Sequence, residues 1–303
     1  MNEKEYETSL KSIETENIID LYFYRPIGFR IARMLRHTGI TTNMITFFSI
    51  FVGAGAGWLF YFTNNFTYTL LGILLLVFAN ILDCVDGQLA RLTGIKSEIG
   101  RILDGIAGDI WFTVIYVALA LRLTHLYGTG WFFVPAVAAG LSHLLQAGIT
   151  DYYKTLHLYF VSKEKGKEFQ RTEQVKAQRK VIKKRVNKFF YVLYALYTWV
   201  QERLTPALQT MLHTLHARYG DDIPEPVRLR FRKQSRWLMK RTIDWMTFNG
   251  RTTVLFAVML LGLCWSGIVW IYFAYEIIVL NTVLYVSVRK HERMCATILK
   301  EEA

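Results

Sequence analysis

Cysteine is scarce. Cys84, Cys264 and Cys295 are far apart in the chain, and the first two fall in or at the ends of apolar segments. No CxxC and no Cys/His spacing of a zinc site is present, so the thiols read as small apolar residues. Histidine offers no better metal set: His213 and His216 stand three apart without a matching pair elsewhere, and read as surface residues. An apolar core is missing from the opening stretch MNEKEYETSLKSIETENIID, which is polar and acidic. These residues are therefore expected to stay in the mature chain rather than to serve as a signal peptide. Charge is absent from residues 64–67 and again from residues 264–267.

What the chain has in plenty is apolar side chains, 52% of 303 residues. About 20 helical residues cross roughly 30 Å of hydrocarbon, so apolar runs of about that length read as membrane spans. Six are predicted, near residues 44–63, 68–83, 97–121, 131–150, 252–265 and 268–288. The fifth is short, and its link to the sixth, Cys264-Trp265-Ser266-Gly267, leaves one long helix open as the alternative. The expected fold is all-α, a six-helix transmembrane bundle. Its expected parts are an N-terminal segment with a juxtamembrane helix (1–43), spans one to four (44–160), a helical insertion (161–250), and spans five and six with a tail (251–303).

Lys and Arg gather before the first span (Arg25, Arg30, Arg33, Arg36), in the link between spans two and three (Arg91, Lys96) and in the tail (Arg289, Lys290, Arg293, Lys300). Arg122 is the exception on the other side. The positive-inside rule then puts both termini, and the ends of spans two and three, in the cytoplasm, with the bundle in the cell membrane. Residues 25–37, RPIGFRIARMLRH, read as a basic amphipathic helix on the inner leaflet. Residues 151–250 hold 21 Lys+Arg against 9 Asp+Glu, which accounts for the whole net charge of +12. Two or three amphipathic helices are expected there. Within it, Lys188–Val200 is apolar but too short to span, and suits the headgroup region or a partner. The basic stretch Lys176–Lys188 lies beside a membrane, so anionic lipid rather than nucleic acid is its expected partner.

The chemistry concentrates in residues 83–109, DCVDGQLARLTGIKSEIGRILDGIAGD. At 3.6 residues per turn, Asp83, Asp86, Gly87, Ala90 and Arg91 share one face of a helix. The next span brings Gly100, Asp104 and Asp109 towards the same level. Carboxylates at the ends of two membrane helices repel one another and cost several kcal/mol unless they are paired or bind metal. Hard divalent cations with oxygen ligands resolve that repulsion, and Mg²⁺ commonly completes its shell with substrate phosphate. Two such ions can clamp both sides of a displacement at phosphorus. Arg91 offers a planar fork for a diphosphate, and Gly87 and Ala90 leave room for a nucleotide.

These residues resemble the signature of the CDP-alcohol phosphotransferases: Asp, two residues, Asp-Gly, two residues, Ala-Arg, eight residues, Gly, three residues, Asp, three residues, Asp. Asp83, Asp86, Gly87, Ala90, Arg91, Gly100 and Asp104 match with every spacing intact. Asn43 and Thr46 also match the family's Pro-Asn-x-x-Thr before the first span, with Thr42 in place of the proline. The resemblance implies a six-helix homodimer that uses two Mg²⁺ or Mn²⁺ ions. It implies Asp83, Asp86 and Asp104 as metal ligands, and Asp83, Gly87, Ala90, Arg91 and Gly100 around the CDP. An alcohol attacks a CDP-linked donor and CMP leaves.

Two departures stand out. The fourth aspartate is expected at position 108, where the residue is glycine, and Asp109 follows. On a regular helix a residue at 108 lies about 40° from Asp104, but Asp109 lies about 140° away. A π-bulge between 104 and 109 would restore the alignment, and Asp109 is then expected to be both ligand and general base. The second departure is the length of the insertion. The donor and acceptor are left open: a phosphatidyl group from CDP-diacylglycerol to a polyol such as inositol phosphate, or phosphocholine or phosphoethanolamine from its CDP ester to a lipid alcohol. Arg101 and Lys154 would suit a phosphorylated acceptor, though positive-inside topology explains them equally. Two other classes stay open, a non-catalytic membrane scaffold and a transporter, for which Glu276 is the one acid placed along a pathway.

Overall fold

The computed structural model describes residues 3–62, 65–95, 98–162, 164–181, 185–220 and 222–302, and every regular element among them is helical. In chain order these are α1 (Glu3–Ser9), α2 (Arg25–Leu35), α3 (Thr42–Leu59), α4 (Phe66–Thr93), α5 (Glu98–Tyr127), α6 (Phe133–Val161), α7 (Thr172–Val181), α8 (Arg185–Leu204), α9 (Pro206–Tyr219), α10 (Glu225–Arg241), α11 (Phe248–Leu261), α12 (Trp270–Ala274) and α13 (Leu280–Glu302). Among the described residues, five helical stretches are long and apolar enough to cross a membrane: Thr42–Leu59, Phe66–Thr93, Leu103–Tyr127, Gly130–Val161 and Ser266–Glu302. The predicted fifth span is α11, apolar but only 14 residues long, about 21 Å against the roughly 30 Å of a bilayer core. The chain breaks between α11 and α12, where Trp265 is extended (φ −140°, ψ 93°) and a 3₁₀ turn, Ser266–Val269, follows. One long helix is thereby excluded. The second span runs further than predicted, to Thr93, because the motif itself is helical; Gly94 in the left-handed region (φ 72°) stops it.

The chain folds as two compact units. The first comprises Met1–Leu144 and Phe248–Leu280. In it α3 packs along α4 and α5, and small residues make the approach close. A side chain at Gly53 would overlap the Trp111 ring, and one at Gly57 would press on Ile115, whereas Gly55 faces open space. The glycines four apart are thus used inside the chain. Helix α2 turns Gly28, Phe29 and Ala32 inward and leaves Arg30, Arg33 and Arg36 exposed. Its Ala32 joins Tyr24, Ile45, Ile81, Leu82, Val85 and Leu89 in an apolar core beneath the motif. Arg122, the exception to the charge rule, is 1% exposed and donates to the carbonyls of Phe60 (3.4 Å) and Gly262 (3.1 Å). These carbonyls lie at the C-terminal ends of α3 and α11, where a cation complements both helix dipoles. Arg122 therefore staples the bundle rather than opposing its topology.

The second unit comprises Leu145–Thr247 and Asn281–Ala303. Four helices, α7 to α10, fill the region where two or three were expected. The apolar run Lys188–Val200 is the middle of α8. The ends of two long helices give these elements something to pack on: Phe231 stacks on Phe160 with ring centres 3.9 Å apart, and Ser235 meets His157 at 2.6 Å. From α13, Glu292 accepts the backbone N–H of Ala207 (2.6 Å) and Leu208 (3.3 Å), capping α9. Its carboxylate satisfies donors that a helix start leaves orphaned.

Candidate active site

Spacing on α4 sets the first half of the site. Asp83 and Asp86, three apart, fall on one side of the helix, while Val85 and Leu89 on the other side anchor it in the core. From α5, Asp104 arrives at the same level, and the carboxylates of Asp83, Asp86 and Asp104 all lie within 4.8 Å of one another. Asp86 is buried, Asp83 partly so, and Asp104 is exposed. Thr46 Oγ1, one turn into α3, donates to Asp86 Oδ2 at 2.5 Å. That bond orients one carboxylate and leaves its second oxygen for another partner. The Asn-x-x-Thr match before the first span thus has a physical reason in its threonine. Three convergent hard oxygens, one of them pinned, fit a divalent cation.

On the same helix the Arg91 guanidinium covers Gly87, where an added Cβ would stand 3.1 Å from Arg91 Nη2. Its Nε donates to the carbonyl of Ser9, and the neighbouring Gln88 Nε2 reaches Ser9 Oγ at 3.1 Å. The N-terminal stretch, which carried no motif, therefore packs on the end of α4, with Ser9, Ser12, Thr15 and Glu16 buried. Glu16 holds Arg25 through both carboxylate oxygens, at 3.0 and 3.2 Å. Asn249 at the start of α11 donates to Asp20 at 2.9 Å. Burial pushes the Tyr24 phenol up to about 12, and the charge of Asp20 adds to the rise, so Tyr24 keeps its proton. Ser9, Gln88 and Asn249 were not singled out in the sequence, since their pairings span 79 to 229 residues.

The expected π-bulge is not there. Helix α5 runs as a regular α-helix through residues 104–109, so Asp109 points away from Asp104, as the 100° step per residue requires. Its Oδ1 lies 3.5 Å from Nε2 of buried His143 on α6, whose Nδ1 meets the Tyr116 hydroxyl at 2.9 Å. Asp109 thus stands outside the three-carboxylate cluster, and the expectation of a fourth acid beside Asp104 is corrected. At Gly105 and Gly108 an added Cβ would meet no atom within 4 Å, so the face that Asp104 shares with position 108 is open. Ala90 and Gly100 sit partly exposed on α4 and α5. The side chain of Arg101 lies outside the described residues, as does Lys96. Lys154 is half-buried on α6 in the second unit. Glu276 is fully buried and pairs with Arg251 of α11, a helix–helix bond rather than a station on an ion path.

Comparison with known proteins agrees with this geometry. A family model described as CDP-alcohol phosphatidyltransferase matches residues 40–215, a stretch that contains the whole motif. Archaetidylinositol phosphate synthase of Pyrococcus horikoshii is 37% identical over 92 residues, 30% of this chain and 47% of that protein. The chain thus matches about half the length of this curated relative.

Proposed function

The chain belongs to the CDP-alcohol phosphatidyltransferase family, and from that premise we propose that it transfers a phosphatidyl-type group from a CDP-linked lipid to a phosphorylated polyol, with release of CMP. The observation that carries this reading is the meeting of Asp83, Asp86 and Asp104 within 4.8 Å, beside an arginine and glycine spaced for a diphosphate. The name of the Pyrococcus relative favours inositol phosphate as the acceptor over a lipid alcohol.

In this reading Asp83, Asp86 and Asp104 would hold two Mg²⁺ or Mn²⁺ ions. Such ions neutralise phosphate charge and polarise phosphorus–oxygen bonds. Thr46 keeps Asp86 turned towards the site. Arg91, preset by the Ser9 carbonyl over the bare Gly87, clamps the pyrophosphate, and Ala90 and Gly100 leave space for the cytidine. Asp104, the exposed member, takes the proton of the acceptor hydroxyl as the new oxygen–phosphorus bond forms and the bond to CMP breaks. Fixed charges and positioning supply most of the rate enhancement in such transfers. Arg101, next to the motif in sequence, is assigned to the acceptor's phosphate. The proposal further includes α11 as a sixth, short span, α2 on the inner leaflet, both termini and the site on the cytoplasmic side of the cell membrane, residues 161–250 as an insertion, and a homodimeric assembly.

The test is CMP release by purified protein given CDP-diacylglycerol, CDP-choline or CDP-ethanolamine as donor, with Mg²⁺ and a panel of acceptors. Turnover with inositol phosphate supports the proposal, and turnover only with CDP-choline or CDP-ethanolamine reassigns donor and acceptor. Release with none of them, under conditions where a family enzyme is active, leaves a membrane scaffold.

A further inference from the structure

Helix α10 buries Val227, Phe231, Ser235, Leu238 and Met239. Spaced between these, Lys233, Trp237 and Arg241 form an exposed stripe, with Trp237 54% exposed. Two cations already flank its ring: Arg241 from the same helix at 5.5 Å and Lys290 from α13 at 5.7 Å. Immediately before Lys290, Arg289 lies over the ring of Tyr285 at 5.3 Å and donates to its hydroxyl at 3.2 Å. Tyr285 is itself 60% exposed. The second unit thus carries two aromatic–cation groups, Trp237 with Arg241 and Lys290 and Tyr285 with Arg289, joined in sequence at Arg289–Lys290, with Lys233 one turn before Trp237 on α10.

Its depth can be read from α13. The exposed side chains of the last apolar helix change in order along the chain, from Ile278 and Val279, through Tyr285, to Arg289 and Lys290. That order matches a helix leaving hydrocarbon: apolar, then an interfacial aromatic, then snorkelling cations. From Tyr285 to Lys290 is about 7 Å along the axis, close to the roughly 5–7 Å of headgroup layer on each side of a bilayer. Because Lys290 touches Trp237, the stripe on α10 sits at that same depth.

We propose that Lys233, Trp237, Arg241, Arg289 and Lys290 form a docking face for negatively charged lipid headgroups, which holds the insertion against the membrane from which α13 emerges. The rings enter the headgroup layer and the cations contact lipid phosphates and acidic headgroups. This use of the insertion is independent of the transfer reaction.

The test uses the full chain in nanodiscs of phosphatidylcholine alone or mixed with phosphatidylglycerol, with bromine on the acyl chains near the headgroups. The Trp237 contribution is the difference between the native protein and Trp237→Phe. It is expected to be quenched at least about twofold, and more strongly with phosphatidylglycerol present. By native mass spectrometry, the ratio of retained phosphatidylglycerol to phosphatidylcholine is expected to fall about fivefold for each charge removed in Lys233→Gln, Arg241→Gln and Lys290→Gln. A Trp237 signal quenched by aqueous acrylamide and untouched by brominated lipid overturns the proposal, as does an unchanged lipid ratio. Should the variant carrying all three substitutions fail to fold, Lys290→Gln alone carries the same fivefold expectation.

Discussion

Helices α4 and α5 each contribute two acids to the motif, and the fold treats the two pairs differently. Asp83 and Asp86 are three residues apart and face the same way, and Asp86 is further pinned by Thr46 at 2.5 Å. Asp104 and Asp109 are five apart, and on an unbroken helix they diverge. Asp104 meets the α4 pair within 4.8 Å, while Asp109 lies 3.5 Å from His143 on α6. A single step of register decides whether a carboxylate joins a charge cluster or ties two helices together. Restoring the register by a π-bulge would leave a backbone group without its usual partner inside the membrane, where such a loss costs several kcal/mol, and would break the contact to His143.

The comparison can be broken most sharply at the cluster. Asp83→Asn, Asp86→Asn and Asp104→Asn should each lower CMP release on the order of a thousandfold, since metal stabilisation of the transition state is worth several kcal/mol. Chelating divalent cations with EDTA should abolish release, and added Mg²⁺ should restore it. If all three variants keep near-native turnover, the cluster is not the reactive site. A smaller loss is expected one layer out. Thr46→Val removes the donor to Asp86 and should raise the Mg²⁺ concentration for half-maximal activity roughly 10- to 100-fold, with protein thermal stability little changed. An unchanged Mg²⁺ titration would show that Asp86 needs no such support.

Register itself is sharpened by Gly108→Asp, which returns an acid to the face of Asp104 in a place where nothing stands within 4 Å of the new Cβ. A general base well placed there is worth about 100-fold or more, so a gain of roughly tenfold in turnover is the expected outcome, and a clear loss would count against the open face. The smallest effect belongs to Asp109→Asn. Turnover should stay within about threefold, and stability should fall by about 1 kcal/mol for a weakened, part-buried bond to His143, read by thermal denaturation. A loss as deep as that of the cluster variants would return Asp109 to the chemistry.

Much of this was legible before any coordinates. The helical bundle follows from the apolar runs, and the facing of Asp83, Asp86, Gly87 and Arg91 follows from spacing on one helix, because both depend on neighbours within a few residues. Illegible were the contacts that join distant segments. Ser9 under Arg91, Asn249 on Asp20, and Arg251 against Glu276 carry no local pattern. The second unit was likewise hidden: residues 161–250 look like a free insertion, but apolar faces of its helices are spent on Phe160, His157 and the far end of α13. Helix ends also drifted by several residues, as with α4, where motif residues taken for a link proved helical.

By itself, then, the sequence determined the helices, their apolar faces, and the placing of aspartates at the ends of two of them, since periodicity and charge act locally along the chain. Only the tertiary structure decided which carboxylates share a site, that Asp109 belongs with His143, and that Arg91 rests on Ser9. Those outcomes depend on how helices far apart in sequence are rotated against one another, and that rotation is set by packing across the whole unit rather than by any one segment.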